Sequence, residues 1–144
     1  MKPTLVNRGV LVEGQLIVTD QNLAQLTSLR PHLQLQRELD RAMVVSSEAV
    51  PPDVVTMGSR VRYVDEATGL RRTMRLVYPG EANQSQCKIS VLASIGSALL
   101  GLSIGQSIEW AFPNGDQRRL RVEDVIYQPE SASASLGQSK TPGN

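Results

Sequence analysis

The hydrophobic period of this chain changes once, beside a proline pair, and that change most narrows what it can fold into. From Thr19 to Val45 apolar residues recur every three or four positions, whereas from residue 54 to 128 they recur every second one. The first period lines one side of a helix and the second lines one face of a strand, so a helical unit must precede a sheet. Between them SSEAVPP is polar and proline-stiffened, and reads as a linker over residues 46–53. The expected fold class is α+β.

In the helical unit, residues 19–45, Asp20 is a candidate cap, and Leu23, Leu26 and Leu29 make one apolar stripe. Pro31 breaks the pattern: it disfavours helical geometry at Arg30 and is comfortable at the start of a new helix. Leu35, Leu39, Ala42 and Met43 then share one face, with Arg37, Glu38, Asp40 and Arg41 opposite and able to pair at spacing three. The expectation is a short antiparallel helical hairpin whose tip, SLRPHL, carries Arg30, Pro31 and the only histidine, His32. Helices of about ten residues span about 15 Å and are not stable alone, so the hairpin must lean on the rest.

Five strands are expected, SRVRYV (59–64), RRTMRLVY (71–78), KISVL (88–92), QSIEWAF (106–112) and QRRLRVEDVIY (117–127), joined by DEATG, PGEANQ and PNGD in a meander-like antiparallel sheet. Alternation turns Val61, Tyr63, Met74, Leu76, Tyr78, Ile89, Val91, Ile108, Trp110, Phe112, Leu120, Val122 and Ile126 inward. SIGSALLGLSIG predicts one short covering helix, with Ser94 as cap and Gly101 as stop. Residues 1–18 are weakly determined and read as dispensable, although GQLIV suits a short strand. Residues 54–130 form the main domain, and the small, polar residues 131–144 read as a disordered tail.

A chain of 144 residues suits one core, and a net charge of +1 demands neither nucleic acid nor membrane. The single cysteine, Cys87, excludes an internal disulfide framework and fits a reducing compartment. No apolar run approaches the roughly 20 residues that span a bilayer, so the expected location is the cytoplasm, without membrane contact.

Titratable groups are too sparse for an obvious active site. Asp65 with Glu66, and Glu123 with Asp124, are adjacent pairs that read as solvated charges rather than metal ligands. His32 and Cys87 would form a nucleophilic dyad only if the hairpin tip folded back. No phosphate-binding glycine motif occurs. Arg60, Arg62, Arg71, Arg75, Arg119 and Arg121 fall on the outer faces of their strands, where they either form a nucleic-acid face or pair with acids such as Glu109 and Glu123. Stacking aromatics are scarce: of one Trp, three Tyr and one Phe, four are assigned to the core.

The run KISVLASIGSALLGLSIGQSIEW, followed by PNGDQRRLRVEDVIY, resembles the C-terminal FKBP-like domain of the bacterial Gre transcript-cleavage factors. ELDRA (38–42), PDVVTMGSRV (52–61), LVYP (76–79), ALLGL (98–102) and YQPE (127–130) are similar to segments of a shorter Gre-like branch, which extends the resemblance over about residues 16–130. It implies a transcription regulator that binds RNA polymerase at the secondary-channel entrance, with docking residues Ala93, Ser94 and Ile95. A Ser-Pro pair of Gre factors aligns with Ala93 and Ser94, so those particular contacts differ here. Gre factors also hold a catalytic magnesium with acidic residues at a coiled-coil tip. SLRPHLQLQ has no carboxylate, and a guanidinium cannot ligate a cation. The resulting expectation is a non-enzymatic regulator with no cofactor or metal. Its rivals are a transcript-cleavage elongation factor, a nucleic-acid-binding module using the arginine face, and a prolyl isomerase, which would need an aromatic pocket.

Overall fold

The structure is a computed structural model that describes residues 16–133. Strand β1 (Ile17–Thr19) pairs in parallel with β2 (Met43–Val45), and helices α1 (Asp20–Ser28) and α2 (Leu33–Arg41) lie between them in sequence. Thr19, not Asp20, caps α1: its Oγ1 accepts the Asn22 N–H at 3.0 Å, while Asp20 sits in the first turn, favourably placed for the helix dipole. Arg30 leaves the helix with a φ of 56°, because Pro31 bars continuation of the turn.

Leu26, Leu35 and Leu39 enter the same core as the sheet. So do Leu16 and Val18, which corrects the expectation that everything before residue 19 is dispensable; residues 1–15 lie outside the described residues. The Ile17 N–H donates to Gly101 O at 3.0 Å, and a side chain at Gly101 would strike Leu16 Cγ at 2.6 Å. Glu38, expected on the solvated face, is buried and bonded to Arg41 at 2.8 Å. Burial pushes its carboxyl above the usual range, which the guanidinium only partly offsets.

The main sheet holds β3 (Arg60–Asp65), β4 (Arg71–Val77), β5 (Lys88–Ser90), β6 (Ser107–Ala111) and β7 (Gln117–Tyr127), in the spatial order β5-β4-β3-β7-β6. All five expected strands form, but the sheet is neither a meander nor wholly antiparallel. β7 returns to pair with β3, and β5 runs parallel to β4. PGEANQ is not a tight turn: two 3₁₀ turns, Pro79–Glu81 and Gln84–Gln86, carry the chain back before β5 begins. Helix α3 (Ser94–Leu99) packs over the sheet, starts at Ala93 without a side-chain cap from Ser94, and is followed by Gly101 at a φ of 86°. Gly96 lets α3 press on β5, since a Cβ there would collide with the Ser90 carbonyl oxygen.

The expected inward set is buried in the core or packed against it, except Ile126, which is 45% exposed. Two bulges explain the exception. β3 residues Val61 and Tyr63 oppose Val125 and Val122, so β7 contains extra residues that reverse its alternation, and Val125 turns inward instead.

PDVVTMGSRV and YQPE close the domain together. Gln128 Nε2 donates to Pro51 O and Val54 O, both at 2.8 Å, and Thr56 Oγ1 donates to Glu130 Oε1 at 2.7 Å. Residues 129–133 make a helical turn, so 131–133 do not fit the expected tail, and residues 134–144 lie outside the described residues.

Candidate partner-binding surfaces

The turn between α1 and α2 does fold back, but not onto Cys87. His32 caps α2, its Nδ1 accepting the Leu35 N–H at 3.2 Å, while Nε2 lies 3.1 Å from Ser97 Oγ in α3. Ser97 Oγ donates to Val91 O at 2.6 Å, so it accepts from His32, and the ring is held as the neutral Nε2–H tautomer. Desolvation lowers its pKa in the same direction. Both ring nitrogens are engaged, so the dyad with the exposed Cys87 is not formed. Arg30 is exposed and Pro31 half-buried at the edge of this turn.

Beside α3, Ala93 is exposed and Ser94 and Ile95 are half-buried. Ser90 shapes the approach, its Oγ accepting the Leu92 N–H at 3.0 Å and its carbonyl accepting the Ala93 N–H at 3.0 Å. Ala93, Ile95, Ile89, Phe112 and Ala82 line a shallow, mostly apolar groove of about 470 Å³. Asn83, Gln84, Lys88, Ser90 and Ser94 complete its lining, and such a shallow patch with a mostly apolar surface suits a protein partner.

The outer sheet face is largely a lattice of paired charges. Glu66 holds Arg119 at 3.2 Å and Arg121 at 3.1 Å; Glu123 takes Arg71 Nε on both oxygens, at 3.0 and 2.8 Å; Asp124 lies 3.8 Å from Arg62. The acidic pairs read as solvated are therefore ion-pair anchors. Glu109, expected as a partner, is opposite Arg119 in register, yet Arg119 pairs with Glu66. Arg60 and Arg75 stand apart from this lattice.

Sequence reasoning missed Arg118, whose Nε and Nη2 bond Asp65 Oδ2 at 3.0 and 2.9 Å and whose guanidinium lies 4.6 Å from the Phe112 ring centroid. Its signal was present, since alternation from Leu120 turns residue 118 inward at the end of the strand. Burial alone would raise the Asp65 pKa, but Arg118 and the N–H groups of Ala67 and Thr68 outweigh it and hold the carboxyl below its usual range. Among the described residues no group of three or more His, Cys, Asp or Glu could hold a metal, and no helix is long and apolar enough to cross a membrane.

Residues 50–127 match the family described as "Transcription elongation factor, GreA/GreB, C-term". The chain belongs to the GreA/GreB family of transcription factors. Within it, the chain is 47% identical over 102 residues to "Regulator of nucleoside diphosphate kinase" of Escherichia coli (strain K12), covering 71% of this chain and 75% of that protein. It is 33% identical over 96 residues to "Transcription elongation factor GreA" of Syntrophus aciditrophicus, covering 67% of this chain and 59% of that one. Among solved structures, "Prokaryotic transcription elongation factor GreA/GreB from Nitrosomonas europaea" is 39% identical, covers 80% of this chain and all of its own, and superposes with a TM-score of 0.63.

Proposed function

We propose that this protein is a cytoplasmic, RNA polymerase-binding transcription regulator that docks at the secondary-channel entrance through residues 93–95 and does not stimulate transcript cleavage. The observation that carries the docking half is the apolar groove bordered by Ala93 and Ile95, at the segment where Gre-like sequences approach the polymerase. In this reading residues 54–130 are an FKBP-like docking domain, and the two nine-residue helices are a reduced hairpin that modulates the contact.

The non-cleaving half is supported by the turn at 29–32. It has no carboxylate, and its histidine is bonded to Ser97. A factor of this kind would occupy the site of a cleavage factor without delivering magnesium ligands. Two assays with the full chain test the reading. Core polymerase should co-purify with the parent chain and much less with Ile95→Glu, and adding the parent to backtracked complexes should leave the RNA cleavage rate unchanged. Absence of polymerase binding contradicts the first half; accelerated cleavage contradicts the second.

A further inference from the structure

Three cations line up side by side across three strands. Arg60 on β3 is directly opposite Arg75 on β4, and Arg75 is directly opposite Lys88 on β5. Across the other edge of β3, Arg60 is opposite Tyr127 on β7, and the Arg75 guanidinium reaches to 5.3 Å from the Tyr127 ring centroid. The row Tyr127, Arg60, Arg75, Lys88 thus crosses four strands. Arg60, Arg75 and Lys88 form no ion pair among the described residues, in contrast to Arg62, Arg71, Arg119 and Arg121 on the same sheet.

That contrast calls for a cause. Like charges directly opposite each other destabilise a sheet, and carboxylates pair with Arg62, Arg71, Arg119 and Arg121 on the same sheet but with none of these three. Arg60, Arg75 and Lys88 border a groove of about 490 Å³ whose lining includes the polar Thr73, Ser85 and Gln86 and no carboxylate. Strands lie about 4.8 Å apart, so the three cations span about 10 Å, long enough to face a run of several negative charges rather than a single one. Tyr127, 40% exposed at the end of the row, provides the aromatic platform that single-stranded nucleic acids use and duplexes do not need.

We propose that Arg60, Arg75 and Lys88, with Tyr127 beside them, bind the phosphate backbone of a single-stranded nucleic acid. This site goes beyond polymerase docking: Arg60, Arg75 and Tyr127 lie outside the docking groove, while Lys88 borders both grooves. It also narrows the six-arginine face to the two arginines that lack acidic partners, plus a lysine that alternation of arginines alone did not include.

The experiment is fluorescence anisotropy of the full chain with a short labelled RNA and the same DNA sequence, from about 50 to about 200 mM salt. Three phosphate contacts predict a slope of log affinity on log salt near −2 for single strands. The double substitution Arg60→Gln with Lys88→Gln should weaken binding at least about 10-fold and flatten the slope to about −0.7. Tyr127→Ala should weaken it about 5-fold or more, whereas Arg62→Gln, a paired arginine, should change it by less than about 2-fold. Thermal melting of the double variant should stay at or above the parent's, because a like-charge row has been relieved. No salt-sensitive binding overturns the proposal, as does a double variant equal to the parent. Duplex bound as tightly as single strand, or inorganic tripolyphosphate bound as tightly as the oligonucleotide, also overturns it.

Discussion

His32 Nε2 lies 3.1 Å from Ser97 Oγ, and this contact ties the turn between α1 and α2 to the helix beside the proposed docking groove. The same ring caps α2 through Nδ1, so a single neutral imidazole joins the helical unit to the sheet domain.

Protonating His32 would place a hydrogen on Nδ1 and remove the cap. Its folded pKa is lowered from 6.5, so the unfolded state binds the proton more readily. The contribution to stability is therefore complete above about pH 6.5 and is lost as pH falls through the lower, folded value. Urea unfolding from pH 7 to pH 5 should show this loss in the parent and not in His32→Ala. At pH 7 the substitution should cost about 1–2 kcal/mol; an identical pH profile in both would refute the assignment.

Gly96 and Gly105 should differ sharply when replaced by alanine. At Gly96 the new methyl meets the Ser90 backbone, which cannot yield cheaply, and the cost should exceed about 3 kcal/mol. At Gly105 the φ of 90° is strained for alanine, but nothing lies within 4 Å, and the cost should be about 1–2 kcal/mol. Chemical denaturation measures both, and equal losses would contradict the close approach of α3 to β5.

Gln128→Ala removes the donor shared by the Pro51 and Val54 carbonyls. Leaving buried acceptors unpaired should cost about 1–3 kcal/mol, read as a lower urea midpoint at unchanged slope. A change within error would mean that the C-terminal segment does not hold the residues preceding β3.

Asp65 carries a pKa below its unfolded value, so its contribution is present above about pH 3.8 and lost as pH falls through the folded value. Asp65→Asn should unfold at lower denaturant at pH 7 and lose less stability on acidification than the parent. Parallel acid profiles would contradict the Arg118 pairing.

These residues also mark how far the sequence is legible. Periodicity found both helices, the five strands of the main sheet and their inward residues, because those depend on repeated apolar burial. It missed Val54, Val55, Met57 and Leu102, which enter the core from irregular segments, and it placed Met43 on a helix face although it is exposed in β2. Ile126 was misassigned because a bulge adds a residue to one strand without any compositional mark. The parallel placement of β5 was hidden because the ten residues 78–87 contain the same Pro, Gly and Asn that make a tight turn. The roles of Glu66 and Glu123 depend on which strands become neighbours. β7 beside β3 is a long-range choice that no local pattern announces, and it separates paired arginines from Arg60 and Arg75. Family membership, in contrast, was legible in the segments PDVVTMGSRV, ALLGL and YQPE, which serve packing: Gly58 in the first leaves room for Pro129 in the last, which a Cβ there would meet at 2.9 Å.

The most direct test of the account is displacement of a labelled Gre factor from core RNA polymerase by the full chain. The prediction is complete displacement at micromolar concentration, with Ile95→Glu at least about 10-fold weaker, equivalent to about 1.4 kcal/mol, and with fold unchanged by circular dichroism. No displacement, or equal displacement by parent and Ile95→Glu, would contradict docking through the groove beside α3.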